Sequence, residues 1–255
     1  MERKNILCCL FVAVLFISCA KDKKDKPVSK TVMLQKRSHT SGSSTWAVAY
    51  FFNDNGVATQ YKATGALGNY TVSLQRNTAG KITRVNFSDG FSGYYTIEYD
   101  GAGRMSKVLR YDGTGTLGSY STYTYSDNGY EESRYTAAGN FGGKDIYQYT
   151  ADKKDIATKK SYNAVNVQTT EQTNTYTNKP NPYNVYPEAE MQQISGVLPG
   201  EHASATETTV TISSGVSVTR TFTYTYDSNG YITGAQAVFT DGRAPLNSSF
   251  SYIVK

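Results

Sequence analysis

A short phrase recurs along this chain: a strand of alternating, mostly aromatic residues, a Gly-containing turn, and a strand leading away. Gly56, Gly80, Gly103, Gly129 and Gly230 each close such a phrase, as in Tyr123-Thr-Tyr-Ser-Asp-Asn before Gly129. Lys153 takes the Gly place after Tyr147-Gln-Tyr-Thr-Ala-Asp. The positions lie 24, 23, 26 and 24 residues apart, then 77, which is close to three further units. A spacing of two places both aromatics of a pair on one face of a strand. Tyr123 and Tyr125, Tyr147 and Tyr149, and Tyr224 and Tyr226 therefore read as half-buried antiparallel strands, with Thr or Gln on the other face. Each unit holds two strands and two turns, and a lone hairpin is barely stable, so the units must stack. Asn-Gly at 55, 128 and 229 predicts hairpins with type I′ turns.

The expected fold is all-β: an antiparallel meander of about a dozen strands forming a curled sheet or half-open barrel. With 22 Tyr and 22 Gly, the composition suits strands and turns, because Tyr pairs an apolar ring with a polar tip. Thr31 to Leu34 reads as a first short strand, 37–45 as a loop, and Trp46 to Phe52 as an apolar strand. The departing strands, such as 81–87 and 104–111, carry Lys and Arg expected on the wet face. The pattern breaks at 178–200. There Pro187, at a first helical position and followed by Glu188 and Glu190, predicts a short helix over 187–195. Strands resume at 208–212 and 216–226, and 250–254 closes the chain.

Residues 1–18 have the form of a secretory signal: Arg3 and Lys4, then an apolar run too short to span a membrane. Ser18-Cys19 resembles the lipobox of bacterial lipoproteins, with Phe16 where Leu is commonest. That resemblance implies cleavage before Cys19 and diacylation of that cysteine, the palmitate-bearing site. Cys8 and Cys9 would leave with the signal, so no disulfide is available afterwards. Residues 19–37 read as a lipidated, charged, flexible tether, and 38–255 as a single β-repeat domain. Cys-Ala-Lys-Asp resembles the surface-export signal of Bacteroidota lipoproteins, although Lys23 and Lys24 stand where further acids are usual. The address implied is the bacterial outer membrane, lipid-anchored at the cell surface.

Charge follows the same division. Residues 20–37 carry seven Lys or Arg against two Asp, whereas 38–255 carry 17 basic and 18 acidic residues. A nucleic-acid reader needs its positive charge on the folded face, so that function class is set aside.

The sequence offers little catalytic chemistry. Gly113-Thr-Gly-Thr-Leu-Gly118 spells a dinucleotide fingerprint, but a strand follows it where a helix is required, so it reads as a hairpin turn. His39 and His202, the only histidines, read as loop residues, and with Cys19 acylated no His/Cys metal set exists. Glu131 and Glu132 are strand neighbours on opposite faces, which bars them from facing each other as glycosidase carboxylates do. Glu98 and Asp100 can share a face, with Asp100 opening a turn. The Tyr rows read as filler for a wet β interior, with sugar stacking as the alternative, and Trp46 reads as core. No catalytic, cofactor-binding or metal-binding residue is assigned, and no cofactor is expected.

Tyr99-Asp-Gly-Ala-Gly-Arg-Met105 resembles the Tyr-Asp repeat of Rhs and teneurin-type proteins, and Tyr226-Asp-Ser-Asn-Gly-Tyr-Ile232 keeps part of it. The ordered set of lipobox, charged tether, Tyr-rich hairpins, Asn-Pro-Tyr loop, short helix and final Tyr-Asp hairpin is similar to uncharacterised Bacteroidota surface lipoproteins. The fold this implies is a porin-like, curled β-sheet. The function expected is a non-catalytic binding or scaffold module with a glycan or envelope-protein ligand. The alternative is a glycan-active hydrolase with a carboxylate pair that no motif reveals.

Overall fold

A computed structural model describes residues 32–66, 68–194 and 200–254. The signal 1–18, Cys19 and tether residues up to 31 lie outside the described residues, as does the last residue of the expected helix, 195. The strands are β1 (Val32–Ser41), β2 (Ser44–Phe52), β3 (Ala58–Gly65), β4 (Tyr70–Arg76), β5 (Ile82–Ser88), β6 (Gly93–Tyr99), β7 (Met105–Tyr111) and β8 (Leu117–Ser126). They continue as β9 (Gly129–Thr136), β10 (Phe141–Tyr149), β11 (Ile156–Tyr162), β12 (Gln168–Pro180), β13 (His202–Thr211), β14 (Ser217–Tyr226), β15 (Ile232–Phe239) and β16 (Leu246–Val254). The single helix among the described residues, α1 (Glu188–Ile194), lies in the β12–β13 connection.

Every strand pairs antiparallel with its chain neighbours, and β1 pairs with β16 from Val32–Val254 to Ser41–Leu246. The meander is thus a closed barrel of sixteen strands, where sequence reading left it half-open with fewer. The difference lies largely in β1. The first strand runs on past the expected 31–34: residues 35–37, assigned to the tether, are strand too, and 37–45 is strand apart from the turn at 42–43. Alternation accommodates the charge: Lys36 is exposed on the outer wall, and Arg37 turns inward to Glu188 of α1 at 3.2 Å.

One turn recurs at both ends of the barrel. Asn53, Asn77, Asp100, Asp112, Asn163 and Asp227 each accept backbone N–H bonds on Oδ1 at 2.8–3.1 Å. The residue three further on has positive φ: 79° at Gly80, 86° at Gly115, 59° at Asn166 and 85° at Gly230. These are Asx turns with a left-handed residue at a bulge. They replace the expected type I′ geometry, since neither Asn55 nor Asn229 has positive φ. At 127–128 the link is a two-residue loop, and Gly129 already belongs to β9. Lys153 does take the Gly place, with φ of 60°. The Gly113–Gly118 segment is one of these hairpin turns, organised by Asp112.

Inward-facing tyrosines tie neighbouring strands together at the helix end. The hydroxyls of Tyr99, Tyr125, Tyr176, Tyr224 and Tyr252 donate to the carbonyls of Ile82, Met105, Ile156, Ser204 and Ile232, at 2.6–2.9 Å. Each acceptor lies near the start of the preceding strand. The apolar ring fills the lumen while the hydroxyl bonds a carbonyl at the strand end, and Phe cannot do both. α1 closes this end. Met191 and Ile194 join the buried core, Glu188 accepts from Tyr50, and Arg76 grips Glu190 through both carboxylate oxygens.

Tyr125→Phe should lower unfolding stability by about 1 kcal/mol, read as a shifted urea midpoint at constant m. Gly80→Ala and Gly230→Ala, which have no neighbour for the new methyl, should each lose about 1 kcal/mol from the left-handed backbone alone. Lys153→Gly should move the midpoint the other way in the same assay.

Candidate functional site

The inner faces of the strands divide the lumen into two halves. Along β2 to β7 it is dry: Val48, Val72, Val85, Ile97 and Val108 are buried and pack with Leu34 and Tyr50. Along β8 to β14 the same inward positions are polar: Ser121, Glu132, Arg134, Asp145, Lys159, Gln172, Asn174, Glu207 and Arg220.

These polar groups form a ladder across strands. Arg110 donates to Ser121 Oγ at 2.9 Å and lies 3.9 Å from Glu132, which accepts from the Tyr123 hydroxyl at 3.2 Å. Asp145 is 2.8 Å from Arg134 and 3.1 Å from Lys159. Burial pushes its carboxyl up, but the Arg134 hydrogen bond and the Lys159 charge outweigh this and hold it below the usual range. Farther round, Glu207 takes the guanidinium of Arg220. Glu188 differs: enclosure raises its carboxyl above the usual range against the pull of Arg37.

Two cavities of about 370 Å³ each lie on the wet side and share Glu207 and Arg220 as a common wall. The inner one is lined by Gln172, Asn174, Tyr183, Gln192, Phe222 and Tyr224 among others. The outer one, at the end opposite α1, is lined by Thr209, Thr211, Val218, Phe239 and Arg243. A third cleft of about 470 Å³ opens at the helix end beside Tyr99, Tyr125, Tyr149, Lys81, Arg104 and Lys153. There Lys81 sits over the Tyr99 ring at 4.9 Å and Arg104 over Tyr125 at 4.5 Å, so cations already occupy those rings.

Several residues weighed from sequence stand elsewhere than expected. His39 is not a loop residue: it is 4% exposed, stacked on Trp46 with ring centroids 4.8 Å apart, and bonded to Ser248 at 2.8 Å. Burial, with help from Arg37, lowers its pKa to about 4, so the ring is neutral. His202 is half-buried and bonds Asp155 at 2.7 Å. Glu131 and Glu132 do face opposite ways, the first to Lys144 at 3.0 Å on the outer wall. Glu98 lies on the outer face and Asp100 organises a turn. Arg110 and Arg134, read as wet-face charges, point into the lumen, where buried carboxylates compensate them.

Tyrosines occupy both walls. Tyr94 and Tyr111, and Tyr120 and Tyr135, stack on the outer wall at 4.6 and 4.9 Å, flanked by Arg84 and Lys107. Those ring faces are covered by one another and by cations. The remaining outer face carries hydroxyl pairs such as Thr175–Thr206, Thr208–Thr219 and Ser38–Ser249. A membrane-spanning barrel presents an apolar band there instead.

No family model and no curated protein matches the chain in sequence. Solved structures match it in fold. A porin-like protein from Bacteroides vulgatus ATCC 8482 superposes with a TM-score of 0.58 at 9% identity, covering 86% of this chain and 98% of the other. The fold is porin-like. Also similar are a porin-like protein from Bacteroides uniformis ATCC 8492, at TM-score 0.41, 14% identity and 87% and 98% coverage, and TcdB2-TccC3 without its hypervariable C-terminal region. The latter has TM-score 0.23 and 10% identity, with 83% of this chain covering 12% of that one.

The buried neutral His39 sets a pH dependence. Its folded pKa lies below the unfolded value of about 6.5, so the stability is present above that value and is lost as pH falls towards 4. His39→Gln should flatten the loss between pH 6.5 and 4 in urea titrations. The further loss below pH 4, where Asp145 protonates, should remain.

Proposed function

We propose that this protein is a non-catalytic binding module of the bacterial envelope, held on the outer membrane by lipid on Cys19. The carrying observation is the wet half of the lumen: a polar, cavity-bearing interior in a barrel that could have been packed dry throughout. A filled core needs none of Gln172, Asn174, Glu207 or Arg220 facing inward, and polar groups are retained inside only when satisfied. Scaffolding alone would not call for such a cavity. A glycan or an envelope-protein segment is the ligand class considered.

The carboxylate arrangement favours binding over glycoside hydrolysis, which requires a protonated acid and a second carboxylate facing it across a gap. Glu132, Asp145 and Glu207 are each engaged by Arg or Lys, and the Asp145 carboxyl is held below the usual range. Glu188 has the raised pKa of a general acid, but it is 3% exposed, accepts from Tyr50 and lines none of the cavities described above. The hydroxyl-rich outer wall is consistent with attachment through a lipid rather than through the barrel itself.

Two measurements test this reading. Cys19→Ala should abolish incorporation of labelled palmitate and shift the protein from the outer-membrane to the soluble fraction; unchanged fractionation would overturn the anchor. Protease added to intact cells should cleave the wild-type protein, and full protection would place it on the inner leaflet instead.

A further inference from the structure

We propose that the inner lumen cavity binds a small neutral saccharide of one or two sugar rings. This rests on the binding reading above and names its site and ligand class. Gln172 and Asn174 from β12 and Gln192 from α1 line the cavity, while a fourth amide, Asn181 of the following loop, is taken up by the Gly200 carbonyl and the Tyr183 N–H. An amide carries a donor and an acceptor side by side, the complement of a vicinal pair of hydroxyls.

The β12 pair is already oriented. Gln172 Nε2 donates to Asn174 Oδ1 at 2.7 Å and lies 3.4 Å from Glu207 Oε2, while Asn174 Nδ2 donates to the Ile156 carbonyl at 2.8 Å. The Asn174 amide is thus shared between the Ile156 carbonyl and the Tyr176 hydroxyl, and Gln172 Oε1 is left to a ligand. Holding these groups in place beforehand reduces the ordering that binding requires.

The apolar half of a sugar also finds a surface. Phe222 and Tyr224 lie two residues apart on β14 with near-parallel rings, 9° apart and 6.2 Å between centroids; Arg220 lies over Phe222 at 5.3 Å, so Tyr224 is the stacking surface. Charge separates a neutral ligand from an ionic one. Arg220 is compensated by Glu207 and Lys159 by Asp145, so the charged groups lining the cavity are already paired within its walls. A volume of about 370 Å³ sits at the low end of ligand pockets, which limits the guest to one or two rings. The paired Glu207 and Arg220 form the wall between this cavity and the outer one.

Calorimetry on the full mature protein should use glucose, galactose, mannose, maltose and lactose, with glucuronate and maltohexaose as counter-probes. At least one neutral mono- or disaccharide should bind one-to-one. Gln172→Leu and Gln192→Leu, on separate elements so that one folding failure does not end the test, should each weaken it about tenfold. Thr173→Val, on the exposed outer face of β12, should bind as wild type. Binding of glucuronate alone, or of maltohexaose alone with Gln172→Leu silent, would overturn the proposal while leaving the protein a binding module. Absence of all saccharide binding also overturns it. If photocrosslinking from the outer wall on living cells then captures one defined envelope protein, the broader reading survives, and if it captures none that reading falls too.

Discussion

The seam between β1 and β16 is the contact on which the rest of this structure depends. A sheet of sixteen strands left open has two edges of unpaired N–H and C=O groups, each a template for association with another chain. Pairing Val32–Val254 through Ser41–Leu246 removes both edges at once. It also turns one face of every strand into an inner wall. From then on each inward side chain must pack, find a hydrogen-bond partner or border a cavity.

The lumen satisfies that demand differently on its two sides, and the drift of the repeat is what makes them differ. Val108 on β7 pairs with Ser121 on β8 and Ser121 with Arg134 on β9, and, one inward position along, Glu132, Asp145 and Ser161 pair in turn across β9 to β11. One side therefore behaves as a β-protein core and the other as a network of paired charges and amides. Such a network is tolerable only when its members are matched, as Arg134 and Lys159 match Asp145. Its inner cavity, roofed by Gln192 of α1, is where a ligand would meet both amides and rings.

The likeness to a porin-like protein concerns the path of the backbone. Polarity is arranged the other way from a membrane barrel: aromatic rings and aliphatic side chains fill much of the inside, and Thr, Ser, Lys and Glu cover most of the outside. The inner tyrosines explain why the repeat prefers Tyr at strand ends, since five of them donate to carbonyls of the preceding strand. The Asp of a Tyr-Asp pair such as Tyr99-Asp100 then opens the Asx turn, so the two residues of the motif serve rung and corner.

Much of this was legible in the residues themselves. Alternation of Tyr123 and Tyr125, or Tyr224 and Tyr226, marks strands, and Pro187 with two acids marks α1 to within a residue or two. A repeated signal was also present but uncounted: Asp112, Thr136 and Asn163, each three residues before Gly or Asn, mark hairpin corners at the second end of the barrel. Period-two patterning is local, so sequence alone determined which side chains share a face and where the chain turns. It could not say which face is inside, nor which charges lie there. Arg110 and Arg134 face inward while Arg84 and Lys107 face outward, although all four read alike in sequence. That choice, like the burial of His39 against Ser248, 209 positions away, was made only when the barrel closed and brought distant strands into contact.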